Sequence, residues 1–180
     1  MERWYVLYTV PGKEQEAAEL LERSVSHAFW IRCGVPKKVK VFRSGGILHL
    51  LEDVMFPGYL FIQTEHAEEL AKELEKARQF PQFITSTAGT KQDILTPVEE
   101  KDMRFLEDVC GEDLQHAMGV TRITLDSENQ IVRADGVLEH YRNQIVKLNL
   151  HKRFAIVEIE LFNRRQAVLF GVRLEQDQAG

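Results

Sequence analysis

The segment Val54 to Gln63 reads VMFPGYLFIQ and restricts the fold more than any other part of the chain. A run this apolar is typical of a buried strand, yet it has Pro57-Gly58 in its middle. Proline cannot donate to a strand ladder, and glycine tolerates positive φ. The pair therefore predicts a bent entry into a strand that begins near Tyr59.

Both faces of this strand are apolar. A two-residue period places Tyr59 and Phe61 on one face and Leu60 and Ile62 on the other. Helices on one side of a small sheet cover only one of these faces. The aromatic side either closes a second small core or stands exposed for a partner, and the residues alone leave both alternatives open.

The first region, residues 1–110, mixes strands with amphipathic helices. Its order of elements implies an antiparallel or mixed sheet covered on one face by helices, which is an α+β class. Thr96 to Glu99 has the form of a capping box with Pro97 at the first helical position. Helices are predicted at 13–28, 65–79 and 97–109, and a short strand is predicted at 83–86.

The second region, residues 129–176, consists of short alternating segments without a helical pattern. Segments such as FAIVEIEL, separated by tight turns, predict a small all-β barrel that closes its own edges. The polar segment 111–128 between the two regions is predicted as a linker with one short strand at 121–125. The tail from 176 onward is predicted to be frayed.

Composition restricts location and chemistry. The net charge is −5 and the two cysteines, Cys33 and Cys110, form no metal or CxxC pattern, which is typical of reduced cytosolic thiols. No apolar run approaches the length of a membrane span, so a soluble, cytoplasmic and monomeric protein is expected. The six histidines have no metal-ligand spacing and no nucleotide or hydrolase motif accompanies them, so no catalysis, metal or cofactor is expected.

Several motifs, in order along nearly the whole chain, resemble NusG-type transcription elongation factors. Such factors have an N-terminal (NGN) domain followed by a KOW domain with an SH3-like barrel. In the first region the motifs are Arg3-Trp4-Tyr5-Val6, Gly12-Lys13-Glu14 and Phe56-Pro57-Gly58-Tyr59-Leu60-Phe61; in the second they are Val132 to Gly136, Ile145 to Asn149 and Phe162-Asn163-Arg164.

The resemblance implies that the first region binds RNA polymerase. It places an aromatic patch against the clamp helices of the β′ subunit. It also implies contact with the β-subunit gate loop from residues 66–69 and contact with the non-template DNA strand near Arg78-Gln79. By motif matching, the clamp-docking residues are Tyr8, Phe56, Tyr59 and Phe61.

Two turns of the second region depart from the general NusG pattern. Asn143 and Asn163 stand where that pattern has glycine. Asparagine is the least costly residue other than glycine at positive φ, so both turns are expected to persist.

Basic residues concentrate in the turns of the second region, which carries a net positive charge although the chain is acidic. Such residues favour phosphate contact. The segment from Lys147 to Arg165 is similar to LoaP, the specialised antiterminator paralogs of this family, which implies recognition of a leader RNA hairpin. The candidate RNA-binding residues are Arg142, Lys147, His151, Lys152, Arg153, Arg164 and Arg165.

Two alternatives remain open. A general NusG-like factor would bind Rho or a ribosomal protein through the hairpin that carries Phe162. A free-standing KOW RNA-binding protein, which belongs to a different class, would have no polymerase partner for the aromatic patch.

Overall fold

The computed structural model describes residues 1–83 and 94–177. These residues form two compact units. The first unit comprises 1–36, 56–83, 94–107 and 111–115, and the second comprises 37–55, 108–110 and 116–177. The segment 37–55, expected within the first region, therefore groups with the second unit.

The first unit contains a four-stranded sheet in the order β2-β5-β1-β6. Every pairing in it is antiparallel, which is one of the two arrangements, antiparallel or mixed, that the sequence predicts. Its strands are β1 (Arg3–Tyr8), β2 (Arg32–Gly34), β5 (Tyr59–Thr64) and β6 (Leu95–Pro97). Its helices are α1 (Glu14–Ser24), α2 (Ala67–Lys76), α3 (Phe80–Phe83) and α4 (Glu100–Cys110). The last three residues of α4 group with the second unit.

The core of the first unit lies between one face of the sheet and the helices. Leu7 of β1 and Leu60 and Ile62 of β5 are fully buried in one apolar cluster with Leu21 of α1 and Leu70 of α2. This is the face that alternation assigns to these residues. The predicted helical coverage of one face is confirmed.

A buried carboxylate fixes the Pro57-Gly58 bend. Gly58 has φ +85°, a conformation that side chains disfavour. Its amide donates to Oε1 of Glu14 over 2.7 Å, and its carbonyl accepts from Thr9 over 2.7 Å. Because Glu14 also accepts from the amide of Gly12 at 3.0 Å, one side chain joins the start of α1 to the entry of β5.

Four local predictions in the first unit are wrong. The first helix, predicted to reach residue 28, ends at Ser24 because Val25 has an extended backbone. Thr96 and Pro97 belong to β6, which pairs with β1, and α4 begins at Glu100 without a side-chain cap. The predicted second helix ends early, at Lys76, because Ala77 has an extended backbone with ψ 123°. Phe83 ends the short helix α3 instead of starting a strand. Residues 84–86 of that predicted strand lie outside the described residues.

The second unit contains a five-stranded sheet in the order β8-β7-β11-β10-β9 and a separate two-stranded sheet of β3 and β4. The strand predicted at 121–125 is therefore part of this unit. The strands are β3 (Lys37–Ser44), β4 (Ile47–Val54), β7 (Thr121–Leu125), β8 (Ile131–Ala134), β9 (Ile145–Asn149), β10 (Phe154–Leu161) and β11 (Arg164–Arg173).

The β3–β4 hairpin lies against β11 within the second unit. Val39 donates to the carbonyl of Met118 over 2.7 Å, and Met118 donates to the carbonyl of Lys37 over 2.8 Å. A Cβ at Gly171 would lie 2.6 Å from the carbonyl oxygen of Val39. Glycine at 171 therefore permits the close approach of β3 to β11.

The two asparagine turns differ. Phe162 and Asn163 have φ +57° and +60°, and they join the paired residues Leu161 and Arg164, so this two-residue turn persists as predicted. Asn143 instead lies in a short 3₁₀ helix, Arg142–Gln144, which follows helix α5 (Val137–His140). The prediction of a second region without helices is wrong at this point.

Candidate functional site

The four predicted clamp-docking residues come together. Tyr8 and Tyr59 occupy paired positions on β1 and β5, and their ring centroids lie 5.1 Å apart with an edge-to-face angle of 79°. Phe56 and Phe61 lie 6.0 Å and 6.2 Å from Tyr59, centroid to centroid. We call these four residues the aromatic cluster.

The aromatic cluster is buried. Tyr8 is 9% exposed, Tyr59 8%, Phe56 3% and Phe61 0%. Of the two alternatives for this face, the described structure therefore has the buried one. Docking to a partner through these side chains requires a conformation in which they are more exposed.

The two other segments that the resemblance connects with polymerase and DNA lie at the surface. His66, Glu68 and Glu69 are exposed at the start of α2, and two of these three residues are acidic. Arg78 and Gln79 are exposed just beyond the end of α2. Their positions permit contact with another molecule but do not indicate which one.

The predicted basic residues lie at two opposite ends of the second unit. His151 and Lys152 are in the turn before β10, whereas Arg164 and Arg165 follow the turn after it. Eight extended residues separate the two turns by about 25 Å. The two groups therefore lie on different turns of the second unit and do not form one continuous patch.

Arg153 forms hydrogen bonds within the second unit and is largely buried there. Its side chain is 11% exposed, and its guanidinium makes two hydrogen bonds to the Asp177 carboxylate, Nε to Oδ2 over 2.8 Å and Nη2 to Oδ1 over 2.7 Å. Nη1 donates to the carbonyl of Leu150. The charge of Arg153 is balanced inside the unit, and Asp177, in the tail predicted to be frayed, is held in place.

The other basic candidates differ in their local partners. Arg142 pairs with Glu139 at 3.2 Å and donates to the carbonyl of Ile131. Arg165, with 73% of its side chain exposed, lies 3.5 Å from Glu158. Arg164, His151 and Lys152 are exposed. Lys147 is exposed too, with its Nζ 5.8 Å from the ring centroid of Phe154.

The structure adds basic residues that the sequence pattern did not single out. Lys40 and Arg43 of β3 line the same groove as His151 and Lys152. The signal was present in the alternation of Lys-Lys-Val-Lys-Val-Phe-Arg at 37–43, where cations and Phe42 share one short strand. Because this strand lies within residues 1–110, no local pattern connects it with the turns of the second unit.

The two thiols are not poised for nucleophilic chemistry. Burial raises the pKa of Cys33 to about 11 and the pKa of Cys110 to about 11. Both are therefore protonated at neutral pH. Among residues 1–83 and 94–177, no group of three or more His, Cys, Asp or Glu side chains has the arrangement of a metal site, and no helix is long and apolar enough to cross a membrane.

An antiparallel α/β unit joined to a small β-rich unit defines the structural class of this chain. A solved structure described as domain interaction in Thermotoga maritima NusG has a similar fold, with a TM-score of 0.52 and 18% identity, covering 94% of this chain and 93% of that one.

The sequence comparisons are more specific. Residues 2–107 match the family described as transcription termination factor NusG. The transcription termination/antitermination protein NusG of Thermus thermophilus is 24% identical over an alignment of 173 residues, and the match covers 92% of this chain and 92% of that protein. The chain belongs to the NusG family of transcription termination and antitermination factors.

Proposed function

We propose that this chain is a specialised NusG-type antitermination factor of the LoaP kind. In this proposal the first unit binds RNA polymerase and the second unit binds an RNA hairpin in the leader of a target operon. The bound factor then promotes read-through of downstream terminators. The polymerase-binding and KOW domains are proposed at 1–110 and 129–176, joined by the linker 111–128. The hairpin 37–55 and the strand β7 pack with the strands of the second unit.

The observation that carries the RNA-binding proposal is the set of exposed basic turns on the second unit of an acidic chain. Lys152 is exposed on the turn before β10, and Arg164 and Arg165 are exposed at the start of β11, next to the turn after β10. RNA helices are recognised largely through shape, phosphates and 2′-hydroxyls, which suits Lys and Arg on protruding turns. Because these turns lie at opposite ends of β10, each would contact a different part of an RNA stem-loop.

The aromatic cluster supports the polymerase-binding proposal. Aromatic side chains grouped within a few ångströms of each other are the usual energetic centre of a protein interface once they are exposed to the partner. The proposed partner is the clamp-helix element of the β′ subunit. A factor that binds the closed, processive clamp more tightly shifts the equilibrium toward that state.

Further contacts complete the proposal. Residues 66–69 contact the β gate loop, and Arg78 and Gln79 contact non-template DNA. The factor acts as a cytoplasmic monomer and as a non-catalytic protein. Its retention on the leader RNA raises its effective concentration at one operon.

The salt dependence of RNA binding tests the RNA-binding proposal. Replacing Lys152, Arg164 and Arg165 together with alanine is expected to weaken binding and to reduce the slope of log affinity against log salt by up to about 3, roughly one for each phosphate that is no longer neutralised. The probe is an RNA stem-loop selected on the full-length protein from a library with a fixed stem and a randomised loop, titrated by fluorescence anisotropy.

The matched control is Lys101→Ala, which removes an exposed cation from the first unit. Its slope is expected to equal that of the unmodified protein. Lys152→Ala and the double change of Arg164 and Arg165, measured separately, divide the effect between the two ends of the second unit. An unchanged slope in the triple variant contradicts the proposal.

Capture of RNA polymerase by the protein tests the polymerase-binding proposal. Tyr59→Ala is expected to reduce capture of core RNA polymerase by about 30-fold, which corresponds to about 2 kcal/mol for a central aromatic residue. Native fluorescence of Trp4 and Trp30, which are buried in the first unit, serves as the folding control. Undiminished capture by the variant contradicts clamp docking through the aromatic cluster.

The general factor remains the second candidate, favoured by the match of the Thermus relative over 92% of both chains. In the general factor, the hairpin that carries Phe162 would bind Rho or a ribosomal protein. Phe162 is 8% exposed in this structure, so that contact requires it to become more exposed. A free-standing KOW protein would capture no polymerase even without substitution.

A further inference from the structure

A groove of about 460 Å³ opens within the second unit, between the β3–β4 hairpin and the strands β10 and β11. This volume is in the range of small-molecule sites and accommodates a nucleotide base with its sugar. The floor and walls of the groove are apolar. They are formed by Val41, Phe42, Leu51, Phe154 and Leu169.

The rim of the groove is basic. Lys40 and Arg43 line it from the hairpin, and His151 and Lys152 line it from the turn before β10. None of the described residues that line it is acidic. The groove therefore favours an occupant with a flat apolar part and an attached negative charge.

The neighbouring carboxylates leave the rim positive. Asp53 lies 3.0 Å from Nζ of Lys40 and 3.8 Å from Nζ of Lys38, so two ammonium groups share one carboxylate. Asp177, which is close enough to Arg43 to be influenced by its charge, makes two hydrogen bonds to Arg153.

The aromatic rings of the groove are placed near cationic or imidazole groups. Phe42 is 54% exposed, and its ring centroid is 5.8 Å from that of His49. Phe154 has the Lys147 ammonium group 5.8 Å from its ring centroid. Unpaired RNA bases stack on exposed aromatic rings while basic groups hold the adjacent phosphates.

We propose that this groove binds one unpaired base of the RNA, taken from a loop or bulge, with Phe42 as the stacking platform. The phosphate beside that base lies against Lys152 and Arg43. This inference rests on the proposed RNA-binding function and adds a specificity element to it. The factor would then select stem-loops by an unpaired nucleotide at a fixed distance from the stem, and not by charge alone.

The test uses the full-length protein and the selected stem-loop, with 2-aminopurine replacing each loop position in turn. Binding is expected to quench one loop position, and Phe42→Ala is expected to abolish that quenching and to weaken binding about tenfold or more. Binding to a fully paired RNA duplex of the same length is expected to be the same for both proteins. Because Phe42 is largely exposed, its replacement leaves the fold intact.

Leu50→Ala is the matched control, since Leu50 is 66% exposed on the same hairpin and does not line the groove. It is expected to bind the stem-loop as the unmodified protein does. Phe154→Leu, which keeps the apolar volume but removes the ring, is expected to weaken binding to the stem-loop and not to the duplex.

The outcomes separate the inference from the function on which it rests. Absence of RNA binding by the unmodified protein overturns both. Normal stem-loop binding and quenching by Phe42→Ala overturn the inference and leave the RNA-binding function standing. If the unmodified protein binds the matching DNA stem-loop equally well, the assignment to RNA is overturned. If Phe42→Ala loses polymerase capture but still binds the stem-loop, the groove is a protein-docking surface and the inference is overturned.

Discussion

Replacing Glu14 with alanine is expected to lower the free energy of unfolding of the first unit by about 3 kcal/mol, since hydrogen bonds to charged groups contribute about 1.5–3 kcal/mol each. The Glu14 side chain is buried and accepts hydrogen bonds from the amides of Gly12 and Gly58. Alanine leaves these amides without their acceptor. The loss also frees the bend that positions Phe56 and Tyr59.

Tryptophan fluorescence during urea unfolding measures this effect. Both tryptophans, Trp4 and Trp30, are buried in the first unit, so the signal reports on that unit. The control is Glu16→Ala in the same helical turn, where the carboxylate makes an exposed contact to Lys13 at 3.2 Å. Glu16→Ala is expected to cost less than about 1 kcal/mol. Equal effects of the two substitutions would contradict the role assigned to Glu14.

Replacing Asp177 with alanine is expected to destabilise the second unit by about 3 kcal/mol. The Arg153–Asp177 pair is largely buried and doubly hydrogen-bonded, and removing one partner leaves a buried charge without compensation. Asp177 Oδ2 also accepts from the amide of Leu174 over 2.8 Å. The carbonyl of Arg153 accepts from Val172, so the loss reaches the end of β11.

Hydrogen exchange at the amides of Val172 and Leu174 measures this change in the second unit. The control is Glu158→Ala, which removes the exposed partner of Arg165 in the same unit. An exposed pair contributes at most about 1 kcal/mol. Comparable loss of protection in both variants would show that the Arg153–Asp177 pair has no special contribution.

The Arg153–Asp177 pair also predicts that the stability of the second unit falls in acid. The hydrogen bond from Arg153 lowers the pKa of Asp177, and the amide of Leu174 acts in the same direction, against the effect of desolvation. A lowered folded-state pKa means that the stabilisation is complete above the unfolded value of about 4 and is lost as pH falls through the folded value. The difference in free energy of unfolding between the unmodified protein and Asp177→Asn is therefore expected to be constant from neutral pH down to about 4. Below pH 4 this difference is expected to shrink.

Alternation and turn chemistry predicted the parts of the fold that depend on local sequence. Leu60 and Ile62 pack toward the helices because a two-residue period places them there, and Asn163 adopts the positive φ that its turn requires. The grouping of Tyr8 with Tyr59 was predicted by motif matching, and the register of β1 with β5 brings them together.

Long-range contacts decided the features that the sequence did not predict. The β3–β4 hairpin packs on β11 because Gly171 permits close approach, and no local pattern indicates this. Arg153 resembled any other basic turn residue until the chain brought Asp177 to it, 24 residues later. Pro97 fits the first turn of a helix as well as an edge strand, and pairing with β1 selected the strand.

In the proposed function, an RNA hairpin directs this member of the NusG family to particular transcripts. Mapping the positions of the protein on nascent RNA in growing cells, by crosslinking and sequencing, tests it most directly. Occupancy is expected at one or a few leader hairpins and on polymerase downstream of them, and it is expected to disappear for the triple variant of Lys152, Arg164 and Arg165. Broad occupancy across most transcribed genes, unaffected by that variant, would contradict the claim and favour the general factor.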